Sequence, residues 1–141
     1  MAEDKGIEHL CVRIGDAGVG IPSDYVEEIF EAASITRLPC GPDFILGMVN
    51  VRGAVIPVLD LWEIADPSVP IKKIVILNTL EGLVGILISE LVDLIRFDTF
   101  KQSGNISANL KQWEKFFPKV GGIEEQYLIL QVNELITYTI T

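Results

Sequence analysis

The chain has 141 residues, 49% of them hydrophobic, with 20 acidic against 11 basic side chains and a net charge of −9. That length holds one compact domain or two small intertwined barrels, and no cluster of Lys and Arg is present to meet phosphate or an anionic membrane surface. Mean hydropathy is high at +0.39, yet no apolar run reaches the roughly 18 residues of a membrane helix, so the excess points to a large core together with an apolar docking face.

The first segment, MAEDKGIEHL, is polar and lacks the basic and apolar regions of a secretory signal, so a cytoplasmic setting and reduced Cys11 and Cys40 are expected. Residues 7–14 place Leu10, Val12 and Ile14 at period two, as a half-buried strand does, and Gly15, Asp16 and Gly18 turn the chain into a return strand over 19–21. Pro22, Ser23 and Asp24 break that strand. Residues 25–32 fit two patterns. Val26, Ile29 and Phe30 have helical spacing, whereas a strand would put Val26, Glu28 and Phe30 on one face and Glu27 and Ile29 on the other.

Pro39 and Pro42 mark a loop. Residues 44–51 and 54–59 read as strands joined by an Asn50-Val51-Arg52-Gly53 turn, with Pro57 expected at an edge or bulge. Asp60 is placed to cap a short helical turn over 61–65, and two prolines in residues 66–70 suggest a linker between two halves. Strands follow at 74–78, 83–89 and 91–97, a polar loop at 98–109, weak helical character at 110–117, and a strand at 127–132. Asn133 is expected to cap a last helical turn. Many short β-runs with Gly and Pro turns indicate a mainly β chain of small barrels rather than a βαβ sheet.

Reactive constellations are scarce. His9 is the only histidine, and no Cys-x-x-Cys, His-Glu-x-x-His or EF-hand spacing occurs, so neither a metal nor another cofactor is expected. Cys11 shares its strand face with His9, but strand alternation explains that pair without catalysis. Glu27-Glu28 and Glu124-Glu125 would point to opposite strand faces and would not converge as acid and base. Trp62 and Trp113 read as packing residues. Arg52, between two apolar runs, reads as a surface side chain on a rigid β frame.

The stretch from Ile35 to Leu61 resembles the CheW family of chemotaxis coupling proteins. The matching blocks are ITRLP at 35–39, PDFILG at 42–47, VNVRG at 49–53 and VIPVLDL at 55–61. Weaker similarity at Gly20-Ile21, 26–29, 83–94, Val120-Gly121 and 127–130 extends it over a single domain at 7–136. The resemblance implies two intertwined five-stranded SH3-like barrels with a hydrophobic groove between them and few short helices. It implies a non-enzymatic cytoplasmic adaptor, recruited to membrane-bound receptor arrays without inserting into the membrane. Its partners would be a methyl-accepting chemoreceptor and the regulatory domain of a CheA-type histidine kinase, with no nucleic acid. Val26, Glu28, Phe30, Val51 and Arg52 match the receptor-binding side, and no kinase-binding residue is assigned. Lys119, Gln131 and Trp62 depart from the family pattern. They leave open a competitor that binds receptors without activating a kinase, or an adaptor of a pilus or other pathway. A reading from another class is a small-ligand-binding or hydrolytic barrel using His9, Cys11 or the groove.

Overall fold

The computed structural model describes residues 6–38, 42–104 and 108–140. In chain order the strands are β1 (Ile7–Ile14), β2 (Ala17–Pro22), β3 (Val26–Ala32), β4 (Thr36–Arg37), β5 (Ile45–Val51), β6 (Ala54–Leu59), β7 (Lys72–Thr79), β8 (Gly82–Ile88), β9 (Glu90–Phe97), β10 (Phe100–Gln102), β11 (Lys119–Gly121) and β12 (Tyr127–Ile129). Short 3₁₀ helices occupy Ser23–Tyr25 and Ala108–Phe116, and one α-helix, α1, closes the described chain at Val132–Ile140. Residues 25–32 resolve as strand after a 3₁₀ turn, because edge pairing with β7 gives their backbone partners that a short isolated helix would lack.

The strands form two sheets, ordered β10-β11-β12-β2-β1-β9 and β3-β7-β8-β6-β5-β4. Each holds six strands rather than five, because very short strands such as the two-residue β4 extend the edges. The outer strands of each sheet are consecutive in sequence: β9 and β10 are separated by Asp98 and Thr99, and β3 and β4 by residues 33–35. Such connectivity lets a sheet curl back on itself, which fits a barrel-like pair.

The stretch 66–70 does not divide the two halves. It joins β6 to β7, both in the second sheet. The chain instead crosses between sheets at Ser23–Tyr25 and returns at Ser89, so the second sheet is an insertion within the first. Ser89 secures the return crossing: its N–H donates to the Arg13 carbonyl and its Oγ accepts from Gly15 N–H, both at 2.8 Å.

Alternation distributes the apolar residues into three cores. Leu10, Val12 and Ile14 of β1 meet Val75 and Leu77 of β7 and Val84, Ile86 and Ile88 of β8 in the core between the sheets. The other face of β7 sends Ile74 and Ile76 into a second core with Val49, Val51, Ile56 and Val58. The other face of β1 sends Cys11 into a third, with Phe97, Tyr127 and Ile129. β1 and β7 are therefore buried on both faces, which is why their sequences are apolar beyond simple alternation. Gly20 permits the third core: a Cβ there would stand 2.9 Å from Ile129 Cδ1, where β12 pairs in parallel with β2.

The helices cap the central core through Trp113, Phe116 and Phe117 and through Val132, Leu135 and Ile136 of α1. Trp113 Nε1 donates to the Leu61 carbonyl at 3.0 Å. Three local expectations are corrected. Residues 61–65 form no helix; Asp60 instead accepts from the Ile64 and Ala65 N–H groups at 2.8 and 2.9 Å and pins a loop that turns at Leu61 and Trp62. Asn133 lies inside α1, and its Oδ1 accepts from Leu80 N–H in the β7–β8 turn at 2.9 Å. The polar stretch 98–109 includes strand β10, whose pairing with β11 is set by backbone groups that a hydropathy pattern does not register. Pro39 and Cys40 lie outside the described residues. No helix among the described residues is long and apolar enough to cross a membrane.

Candidate apolar cleft between the two sheets

An open cleft of about 510 Å³ runs where β9, the edge of the first sheet, faces β3, the edge of the second. Leu91, Val92 and Leu94 form one wall and Val26 and Ile29 the other, with Leu10 contributing from β1. Much of this surface is open to solvent: Ile29 is 39% exposed, Leu91 42%, Val92 39% and Leu94 55%. The polar residues at the cleft are Ser23, Glu28 and Asp93.

Both walls carry a register shift. In β3, Val26 faces Leu77 and Glu28 faces Ile76, so Glu27 is extra. In β9, Asp93 faces Cys11 and Leu91 faces Val12, so Val92 is extra. A bulge re-aims side chains and increases local twist. Here the β3 bulge puts Val26 and Ile29 on the cleft side, opposite Leu77 and Val75 of the central core. The strand alternation that groups Val26, Glu28 and Phe30 on one face is therefore broken.

Arg52 and Glu28 meet at the rim in an ion pair, with side chains 72% and 27% exposed. The hydrogen bond to Glu28 and the charges of Glu28 and then Glu27 hold the guanidinium pKa above its usual value. The frame behind it is a tight hairpin in which Arg52 and Gly53 both have positive φ, 51° and 88°. Asn50 Oδ1 accepts from Gly53 N–H at 2.9 Å and closes the turn. A two-residue turn with both residues left-handed favours Asn-Gly. An arginine in the first position carries backbone strain, and such strain concentrates where a side chain is used.

Of the five receptor-side residues expected from the family resemblance, Val26 and Glu28 line the cleft, and Arg52 joins them through its pair with Glu28. Phe30 and Val51 are not part of the cleft. Phe30 is half-buried against the second sheet's core, and Val51 is 4% exposed within it. For Phe30 the cause is the bulge at Glu27; for Val51 it is the strand position just before the turn. The residues that sequence reading missed are Ile29, Leu91, Val92, Asp93 and Leu94. A signal for the β9 wall was present, since apolar side chains at 91, 92 and 94 leave no polar face for solvent.

The hydrolytic reading loses its chemistry. Cys11 is fully buried, and burial followed by the charge of Asp93 pushes its thiol up to about 12. A thiol held protonated is not a nucleophile near neutral pH. His9 is 1% exposed, its Nδ1 bonds the Ile7 carbonyl at 2.8 Å, and its ring sits 5.2 and 6.0 Å from those of Phe97 and Phe100. Burial is the main cause holding its pKa below the ordinary 6.5. Among the described residues no group of three or more His, Cys, Asp and Glu side chains is placed to hold a metal.

The departures from the family pattern lie away from the cleft. Lys119 Nζ stands 4.2 Å from the Phe100 ring centroid, Trp62 packs edge-on against Phe117, and Gln131 N–H bonds the Phe116 carbonyl.

The family model described as CheW-like domain matches residues 8–139. A chemotaxis protein CheW of Klebsiella aerogenes is 28% identical over 134 residues, covering 91% of this chain and 80% of that protein. A CheW of Thermotoga maritima is 30% identical over 95 residues, covering 65% and 63%. FrzA of Myxococcus xanthus is 48% identical over 54 residues, but the match spans only 38% of this chain and 34% of FrzA. Among solved structures, the scaffolding protein TtCheW of Thermoanaerobacter tengcongensis superposes with a TM-score of 0.75 at 19% identity, covering 94% of this chain and 89% of that one.

Proposed function

The chain belongs to the CheW-like domain family, and from that premise we propose that it is a non-enzymatic cytoplasmic adaptor coupling chemoreceptor tips to a CheA-type histidine kinase. The observation that carries this reading is the open apolar cleft between β3 and β9, rimmed by the Arg52–Glu28 pair. Apolar anchors arriving from a helix at i, i+3, i+4 and i+7 fit a cleft walled by Leu, Ile and Val side chains from two sides. Val26, Ile29, Leu91, Val92 and Leu94 would take the receptor helix, and Arg52 and Glu28 would orient it. Each contact is modest, and an array gains strength by multivalency.

Co-sedimentation with receptor-bearing membranes tests the site. Ile29→Asp places a charge on the apolar wall at an already exposed position, so the fold tolerates it. Arg52→Glu sets a second carboxylate beside Glu28. Both variants are expected to weaken sedimentation on the order of tenfold or more while keeping the parent's circular dichroism. Folded variants that sediment like the parent would remove the cleft as the receptor site.

A further inference from the structure

We propose that Asn50 is a positioning residue for receptor coupling, acting through Arg52: its side chain holds the hairpin tip in the left-handed form that aims Arg52 at the rim. This rests on the reading of Arg52 as part of the receptor-docking rim.

Arg52 is the first of the two loop residues between β5 and β6, and Val51 and Ala54 form the last strand pair below it. Val51 is 4% exposed in the second core, so the base of the hairpin is anchored. The tip is not packed. Arg52 and Gly53 are both exposed, and a Cβ added at Gly53 would meet nothing within 4 Å. Packing therefore does not hold Arg52 at its φ of 51°, a conformation that side chains other than Asn and Asp rarely adopt.

The bond that Asn50 Oδ1 accepts from Gly53 N–H at 2.9 Å spans Arg52 and draws the chain tight around it. Relaxing Arg52 to a right-handed φ of about −63° would break that closure and turn its side chain about the N–Cα bond by roughly 110°. Glu28 ties down the far end of the same side chain, but an ion pair at an exposed site is weak alone. Arg52 has a long, flexible stem, and presetting its backbone reduces what is lost when a partner seats against it.

A double-mutant cycle, read by co-sedimentation with receptor-bearing membranes, tests this. Arg52→Ala keeps the Cβ and removes the guanidinium. Asn50→Ala, at an exposed position, is expected to keep the parent's circular dichroism and to weaken sedimentation on the order of fivefold, because fewer chains hold Arg52 in place. In the Arg52→Ala background the same change should cost less than about twofold, since its effect runs through the missing side chain. Gly53→Ala, which disfavours the turn through φ alone, should show the same dependence on Arg52. Asn50→Asp keeps an acceptor oxygen and should sediment within about twofold of the parent. The positioning role is overturned by equal losses from Asn50→Ala with and without the guanidinium, by no loss from Asn50→Ala beside a weakened Arg52→Ala, or by no rescue with Asn50→Asp. It also falls if Arg52→Ala sediments like the parent while Ile29→Asp does not. Each of these results leaves the docking site standing. If neither Arg52→Ala nor Ile29→Asp weakens sedimentation, docking site and positioning role fall together.

Discussion

Replacing Asp60 with Ala removes the one carboxylate that holds the loop after β6. Asp60 is 4% exposed, and its two oxygens accept from Ile64 and Ala65 N–H groups at 2.8 and 2.9 Å, while its own N–H donates to the Phe44 carbonyl. A hydrogen bond to a charged acceptor contributes about 1.5–3 kcal/mol. Ile64 and Ala65 are only half-buried, so water reaches part of what is lost, and the lower end of that range applies, giving about 3 kcal/mol for the two. Against a urea slope of about 2 kcal/mol/M for a chain of this size, the midpoint should fall by about 1.5 M. The loop carries Trp62 and accepts the indole N–H of Trp113 at the Leu61 carbonyl, so tryptophan fluorescence reports directly on the affected region. Asp60→Asn keeps one acceptor oxygen but turns its NH₂ toward a donor, and it should lose somewhat less. An Asp60→Ala midpoint within about 0.3 M of the parent, at unchanged slope, would refute the argument that this carboxylate organises the loop.

Two further outcomes follow from the buried polar groups of the first sheet. Burial lowers the His9 pKa below 6.5, so the unfolded chain takes up the proton first as the pH falls. Its stability contribution is complete above 6.5 and declines below it, toward the folded-state pKa. The urea midpoint should therefore drop more steeply between about pH 7.5 and about pH 5.5 in the parent than in His9→Asn, which retains a donor for the Ile7 carbonyl and does not titrate; parallel curves would contradict this. With its thiol pushed up to about 12 and no exposure, Cys11 in a Cys40→Ser background should label with a thiol reagent at least about a thousandfold more slowly when native than when unfolded. Fast native labelling would revive a thiol-based function.

Much of the fold was legible because its strands obey simple periodicity. Leu10, Val12 and Ile14 marked β1, and Asn50 to Gly53 marked the hairpin that presents Arg52. Interleaving was not legible, because residues 66–70 carry the prolines of a linker while the true crossings use Ser23–Tyr25 and the single residue Ser89. The candidate site was read in part. Glu28 and Arg52, distant by 24 positions, do meet. Phe30 lies outside the cleft because the bulge at Glu27 brings Ile29, rather than Phe30, into phase with Val26. The β9 wall was missed because an apolar strand is ordinarily read as core. Only the sheet order reveals that β9 is an edge.

The most direct test of the coupling claim is kinase autophosphorylation in a mixture of this protein, a CheA-type kinase and receptor-bearing membranes. Stimulation is expected to require this protein and to fall on the order of tenfold with Ile29→Asp and with Arg52→Glu, both remaining folded. Full stimulation by folded cleft variants, or none by the parent protein with partners from its own cell, would contradict it.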